Sequence, residues 1–190
     1  MEWFRREAPS RVAAVLPGAF NPPTRAHLAL ARAALDHAGE VVFVLPRAFP
    51  HKNYEGPSFD ERLAMLRTAT ANEPRFALAA CEGGLFLEIA RELRSSDPAL
   101  ERILFLCGRD AAERIVAWDY GSLPPIEEQL REYELLVAPR QGEYLPPEPL
   151  RASVTALRLP EPLDEISSSE VRARIREGRD WRPLVPPELW

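Results

Sequence analysis

The sequence predicts an α/β protein built on a doubly wound parallel sheet, and three observations carry that expectation. Apolar runs of strand length alternate with amphipathic stretches of helix length along most of the 190 residues. The strand runs are nearly continuous in apolar residues instead of alternating, the pattern of strands covered on both faces. Turn-forming residues stand between the runs, and neither a repeat nor a linker-like composition divides the chain. One ordinary domain fits this length; two full-sized ones do not.

Each element has a local warrant. Arg11–Pro17 (RVAAVLP) reads as the first strand, followed by a turn and a helix over Thr24–His37. Glu40–Leu45 is the second strand, and Ser58–Ala71 a helix opened by Ser58 and Glu61 at capping-box spacing. Phe76–Ala80 is a weaker third strand before a helix over Leu85–Arg94. Arg102–Cys107 (RILFLC) is a strongly buried fourth, with a helix at Ala111–Ala117 after it. Glu134–Ala138 and Val154–Leu159 complete the strands, and a last helix, Ser168–Glu177, ends at Gly178, a natural C-cap. Residues 1–10 read as an N-terminal extension, Gln141–Pro149 as an ordered surface loop and 164–190 as a C-terminal helical segment. The whole, 1–190, is expected to be a single Rossmann-like domain. Ligands of such sheets bind beyond the carboxyl ends of the strands at the switch point, so the strand-to-helix turns are where chemistry should lie.

Composition narrows the function classes. With 46% hydrophobic and 28% charged residues the chain can bury a core, which argues against disorder. A net charge of −5 leaves no broad basic surface, so nucleic acid is not an expected partner. Every basic residue but one is arginine; the exception is Lys52. Met1–Ser10 is charged and lacks an apolar core of signal-peptide length, and no apolar run approaches the roughly 18 residues of a membrane span. The expectation is a soluble, cytoplasmic protein, with a homo-oligomer left open. Cys81 and Cys107 sit among apolar residues and read as inert core thiols.

Two segments carry candidate chemistry. After the first strand comes Gly18-Ala19-Phe20-Asn21-Pro22-Pro23-Thr24-Arg25-Ala26-His27. Gly18 allows close backbone approach, and Pro22-Pro23 stiffens the entry to the helix. Thr24 and His27, three apart, share a face of the first helical turn, where unpaired N–H groups and the helix dipole suit a phosphate. Taken alone, the same residues are a plain N-cap and a half-buried histidine. The second segment, Ile166-Ser167-Ser168-Ser169-Glu170-Val171-Arg172, opens the last helix. Ser167 and Glu170 have capping-box spacing, and three hydroxyls with an arginine one turn in would also hold a polyphosphate.

The first segment resembles the GxFxPxHxGH signature of the nucleotidyltransferases that carry an (H/T)xGH motif, with Thr24 at the first histidine and Ala26 at the motif glycine. The second resembles their ISSTxIR signature. Further features resemble the nicotinate or nicotinamide mononucleotide adenylyltransferases within that superfamily. These are Pro50-His51-Lys52 before a Phe59–Leu66 helix, Gly108-Arg109-Asp110 with Trp118 eight residues on, and Leu184-Val185-Pro186 near the end. One stretch, Gly83–Ala90, departs from that family's hydroxyl-rich entry to the third helix.

The resemblance implies AMP transfer from ATP to a phosphate-bearing pyridine mononucleotide, with Mg²⁺ carried mainly by the ATP phosphates. It assigns His27 and Arg172 to the α- and β-phosphates, and Lys52 and Thr24 to the acceptor side. The turn residues Gly18, Ala19, Phe20 and Asn21, with Gly108, Asp110, Ile166, Ser167, Ser168 and Ser169, would hold the nucleotide. Trp118 would stack on the pyridine ring. Phosphopantetheine adenylyltransfer, cytidylyltransfer and a non-catalytic nucleotide-binding module stay open as alternatives.

Overall fold

A computed structural model of the chain describes residues 1–47, 54–139, 142–161 and 163–190. Its strands are β1 (Glu2–Arg5), β2 (Val12–Pro17), β3 (Glu40–Pro46), β4 (Phe76–Cys81), β5 (Arg102–Gly108), β6 (Glu134–Ala138) and β7 (Val154–Ala156). The helices are α1 (Arg25–Ala34), α2 (Phe59–Thr70), α3 (Phe86–Ser96), α4 (Arg109–Ala117), a single-turn α5 (Ile126–Gln129) and α6 (Ser168–Arg176). One seven-stranded sheet runs in the order β1-β4-β3-β2-β5-β6-β7. Every pairing is parallel except that of β1 with β4. The chain winds outward from β2 through β3 and β4, then returns to β5 and winds the other way. The switch point therefore lies between the carboxyl ends of β2 and β5, and the doubly wound expectation holds.

Period-two side chains explain why both faces need cover. Val15, Val42, Val44 and Phe105 point to one face, under α3 and α4. Leu16, Val41, Phe43 and Leu45 point to the other, under α1 and α2. Ser58 caps α2 as expected, accepting from the Glu61 N–H while the Glu61 carboxylate accepts from the Ser58 N–H at 2.7 Å. Gly178, with φ of +67°, follows α6 in the left-handed conformation that glycine tolerates. Both cysteines are buried and free, and burial pushes each thiol up to about 12, consistent with inert core positions.

The N-terminal extension is more than a tail. Its edge strand β1 is held by Arg5, which donates from Nη2 to the carbonyls of Thr70 (2.9 Å) and Phe76 (2.8 Å). Arg6 forks onto the buried carboxylate of Glu40 (3.0 and 2.6 Å) and also reaches Asp97 at 2.6 Å. Those hydrogen bonds outweigh desolvation and raise the Arg6 pKa. Four residues with a charged end give no strand-length apolar signal, so sequence periodicity missed β1. At the opposite edge β7 covers only the first half of Val154–Leu159. A 3₁₀ turn at Glu148–Ser153 precedes it, within and beyond the Pro-rich loop.

Candidate active site

The first turn is anchored by its buried residues. Where β2 ends, the Gly18 N–H donates to the Val44 carbonyl at 3.0 Å, keeping the turn beside β3. The chain then reverses through Phe20, whose φ of +48° is unusual for a residue with a side chain. Phe20 is 2% exposed, its ring edge-on to His27 (5.2 Å between centroids) and tilted on Phe43. A buried ring repays the strained backbone, so Phe20 can offer a nucleotide only its main chain. The Ala19 carbonyl accepts from Arg62 Nη1 of α2 at 3.1 Å, and the Arg62 guanidinium lies over the Tyr54 ring. Sequence reading placed Arg62 only within a family-like helix and did not see this clamp.

Thr24 and His27 form a reciprocal cap. The Thr24 hydroxyl accepts from the His27 backbone N–H, while His27 Nδ1 accepts from the Thr24 backbone N–H at 3.0 Å. An accepting Nδ1 places the neutral ring's proton on Nε2, which is left as a donor. The residue keeps part of its surface open, but the ring lies deep enough for burial to push its pKa down to about 4. His27 is therefore a neutral hydrogen-bond donor near pH 7.

Stability should follow from that shift. The unfolded chain takes up the proton below its ordinary pKa of about 6.5, while the folded protein resists it until about 4. The contribution is complete above pH 6.5 and is lost progressively as pH falls toward 4. The melting temperature of His27→Gln should thus fall less steeply across that window than that of the wild type. Parallel slopes would show that His27 does not titrate this way.

The second segment closes on the first. Ser168 Oγ donates to the Pro22 carbonyl at 2.8 Å across a separation of 146 positions. Arg172 Nη1 donates to the Asn21 carbonyl at 2.6 Å, and Nη2 to Ser169 Oγ at 3.1 Å. Ser167 caps α6, accepting from the Glu170 N–H at 3.1 Å. The reciprocal half of that capping box is not made, because the Glu170 carboxylate turns to Arg174 at 2.8 Å.

Between the two segments opens a cleft at the carboxyl ends of β5 and β6. Thr24, His27, Ser167 and Ser168 line its polar end, where the N-termini of α1 and α6 converge. Leu30, Pro139, Leu159 and Leu163 line the rest, with Ala26, Gly108, Ala138, Asp164 and Ile166. A Cβ on Gly108 would meet nothing within 4 Å, so the strand end faces open space.

Other expected residues stand apart. Asp110 is exposed in the first turn of α4 and does not line this cleft. Trp118 ends α4 with 49% of its surface exposed, also outside it. Lys52 lies outside the described residues. The divergent Gly83–Ala90 segment is occupied internally. Glu92 accepts from the N–H groups of Glu82 and Gly83, Glu88 from those of Gly84 and Leu85, and Phe86 stacks on Phe105 at 4.2 Å. Among the described residues no three His, Cys, Asp or Glu side chains gather closely enough to hold a metal ion, and no helix is long and apolar enough to cross a membrane.

Convergent helix N-termini, a neutral histidine donor and an arginine at a Rossmann-like switch point define a nucleotide-binding class of protein. Residues 15–174 match the cytidylyltransferase-like family model. A "probable nicotinate-nucleotide adenylyltransferase" of Stenotrophomonas maltophilia is 31% identical, with 90% of this chain and 89% of that protein covered. One of the same description from Thermus thermophilus is 33% identical over 89% of each. Among solved structures, the Plasmodium falciparum nicotinic acid mononucleotide adenylyltransferase complexed with APC superposes with a TM-score of 0.70 at 20% identity, covering 92% of this chain and 90% of that one. The chain belongs to the cytidylyltransferase-like family and, within it, to the nicotinate-nucleotide adenylyltransferases.

Proposed function

We propose that this protein transfers AMP from ATP to nicotinate mononucleotide, releasing pyrophosphate, a step of NAD biosynthesis. The observation that carries the reading is the cleft in which the N-termini of α1 and α6 meet beside His27. The names borne by its relatives favour the acid form of the pyridine nucleotide over the amide.

The acceptor phosphate has a second pKa of about 6 and is mostly dianionic at pH 7, so no general base is required. The work of the site is alignment and charge stabilisation. His27 Nε2–H donates to the transferred phosphoryl group. Arg172, one turn into α6, supports the departing pyrophosphate, while Ser167, Ser168 and Ser169 and the helix N–H groups hold the polyphosphate. The backbone of Gly18–Asn21 and the strand end at Gly108 border the nucleotide. Thr24 and Lys52 serve the acceptor side, and Asp110 a ribose. The polar end of the cleft offers hydroxyls and no carboxylate cluster, a donor set that fits Mg²⁺ carried by the phosphates. Bound that way, the ion supplies neutralisation of the leaving charge. A cytoplasmic enzyme without nucleic-acid partners fits this chemistry.

Pyrophosphate release from ATP, measured against a panel of nicotinate mononucleotide, nicotinamide mononucleotide and phosphopantetheine, tests the reading. Turnover with a pyridine mononucleotide is expected; turnover only with phosphopantetheine, or ATP binding without turnover, would overturn it. The exposed indole of Trp118 supplies a sharper check on the acceptor. A stacked ring is worth on the order of 1 to 2 kcal/mol, so Trp118→Ala should raise the mononucleotide KM roughly 5- to 30-fold with the ATP KM unmoved. An unchanged mononucleotide KM would remove Trp118 from the acceptor site.

A further inference from the structure

One charged side chain in the cleft is not used by the transfer chemistry. One helical turn along α1 from His27, Leu30 begins an apolar region that continues over Leu159 and Leu163, the segment following β7. Asp164 stands within it, half-buried, and is the sole carboxylate lining the cleft among the described residues. Leu163 and Ile166 are tied by an Ile166 N–H to Leu163 carbonyl bond of 3.0 Å, which sets Asp164 in a turn leading directly to the Ser167 cap. A nucleotide whose phosphates occupy the Ser167 end therefore places its base against these aliphatic side chains and brings the edge of that base to Asp164.

An ionised carboxylate only accepts hydrogen bonds. It rewards a base edge that presents an amino donor and opposes one that presents a carbonyl lone pair. Adenine carries an amino group at its sixth position, where hypoxanthine and guanine carry an oxygen. We propose that Asp164 is a specificity-determining residue that faces the sixth position of the base and selects a 6-aminopurine as the donor nucleotide. The inference rests on the adenylyltransferase reading for the orientation of the nucleotide.

The test compares ATP with ITP, which replaces the amino group by oxygen, and with 2′-deoxyATP, which alters only the ribose. The kcat/KM values for all three are measured with nicotinate mononucleotide in wild type, Asp164→Ala and Asp164→Asn. The wild type should prefer ATP over ITP about 10- to 100-fold, the size of one misplaced polar partner in a partly closed site. Asp164→Ala should bring that preference below about 5-fold. Asp164→Asn, whose amide can donate to the oxygen, should abolish or invert it. The ATP to 2′-deoxyATP ratio should be the same in all three proteins. An ATP to ITP ratio indifferent to both substitutions, or a ribose ratio that moves instead, overturns the proposal. Dissociation constants for ATP and ITP, read by calorimetry without acceptor, report the same discrimination. A protein that binds but does not turn over thus fails the transferase reading while still deciding the role of Asp164.

Discussion

His27→Ala should lower kcat about 100- to 1,000-fold while the ATP KM changes by less than about 3-fold, the effect of removing one donor used mainly in the transition state. The expectation follows from the ring's hydrogen bonding. With Nδ1 accepting from the Thr24 N–H, the Nε2 proton has no competing role, and burial keeps the ring neutral. The substitution also orphans the Thr24 N–H and costs on the order of 1 kcal/mol of stability. Turnover must therefore be measured per folded molecule, well below the melting transition. Normal turnover of the folded fraction, with only the melting temperature lowered, would leave His27 as a helix cap and nothing more.

The largest stability loss should come from the far end of the sheet. Glu40 is 1% exposed and holds both nitrogens of the Arg6 fork, as well as the Ser10 N–H at 3.0 Å. Glu40→Ala strips both fork bonds from the part-buried Arg6 guanidinium, which keeps Asp97, and orphans the Ser10 N–H, a loss of about 3 to 5 kcal/mol. For a chain of this size the melting temperature should drop roughly 6 to 20 °C. Arg6→Met combined with Glu40→Met should recover part of that loss, because no guanidinium is then left short of its buried partner. Urea denaturation of the single and double variants gives the comparison. Since Glu40 begins β3 and the cleft lies at the opposite strand ends, kcat of the folded Glu40→Ala protein should be unchanged. A loss below about 1 kcal/mol would make the network ornamental.

What could be read from the sequence was whatever is local. The strands β2, β3 and β5 announce themselves because both their faces are buried, and the turn after β2 because glycine, proline and a helix cap fall within ten residues. The meeting of Ser168 with Pro22 was legible only through resemblance, since no periodicity spans 146 positions. Arg62 escaped notice because an arginine on a helix reads as a solvated face; only the fold shows its guanidinium buried beneath Ala19. Asp164 was hidden similarly, a carboxylate between a proline-rich stretch and a helix cap. Gly108 ends β5, and Asp110, two residues further, stands exposed in the first turn of α4, where a strand-end reading alone does not carry it.

The latch between α6 and the first turn has a consequence for the order in which this molecule comes into being. The ribosome delivers residues 1–156, and with them every strand of the sheet, before it delivers Ser168 or Arg172. A nascent chain can thus bury both faces of its sheet while the Ser167 and Ser168 end of its cleft does not yet exist. Closing it later means bringing together parts of the chain separated by most of its length, at an entropic cost that grows only slowly with that separation. Two bonds to backbone carbonyls fasten α6 to the first turn, and Arg25 to the Pro183 carbonyl and Asn72 to Glu188 tie the chain beyond it to α1 and to the end of α2. The end of the cleft that α6 contributes is accordingly the last part of it to be made.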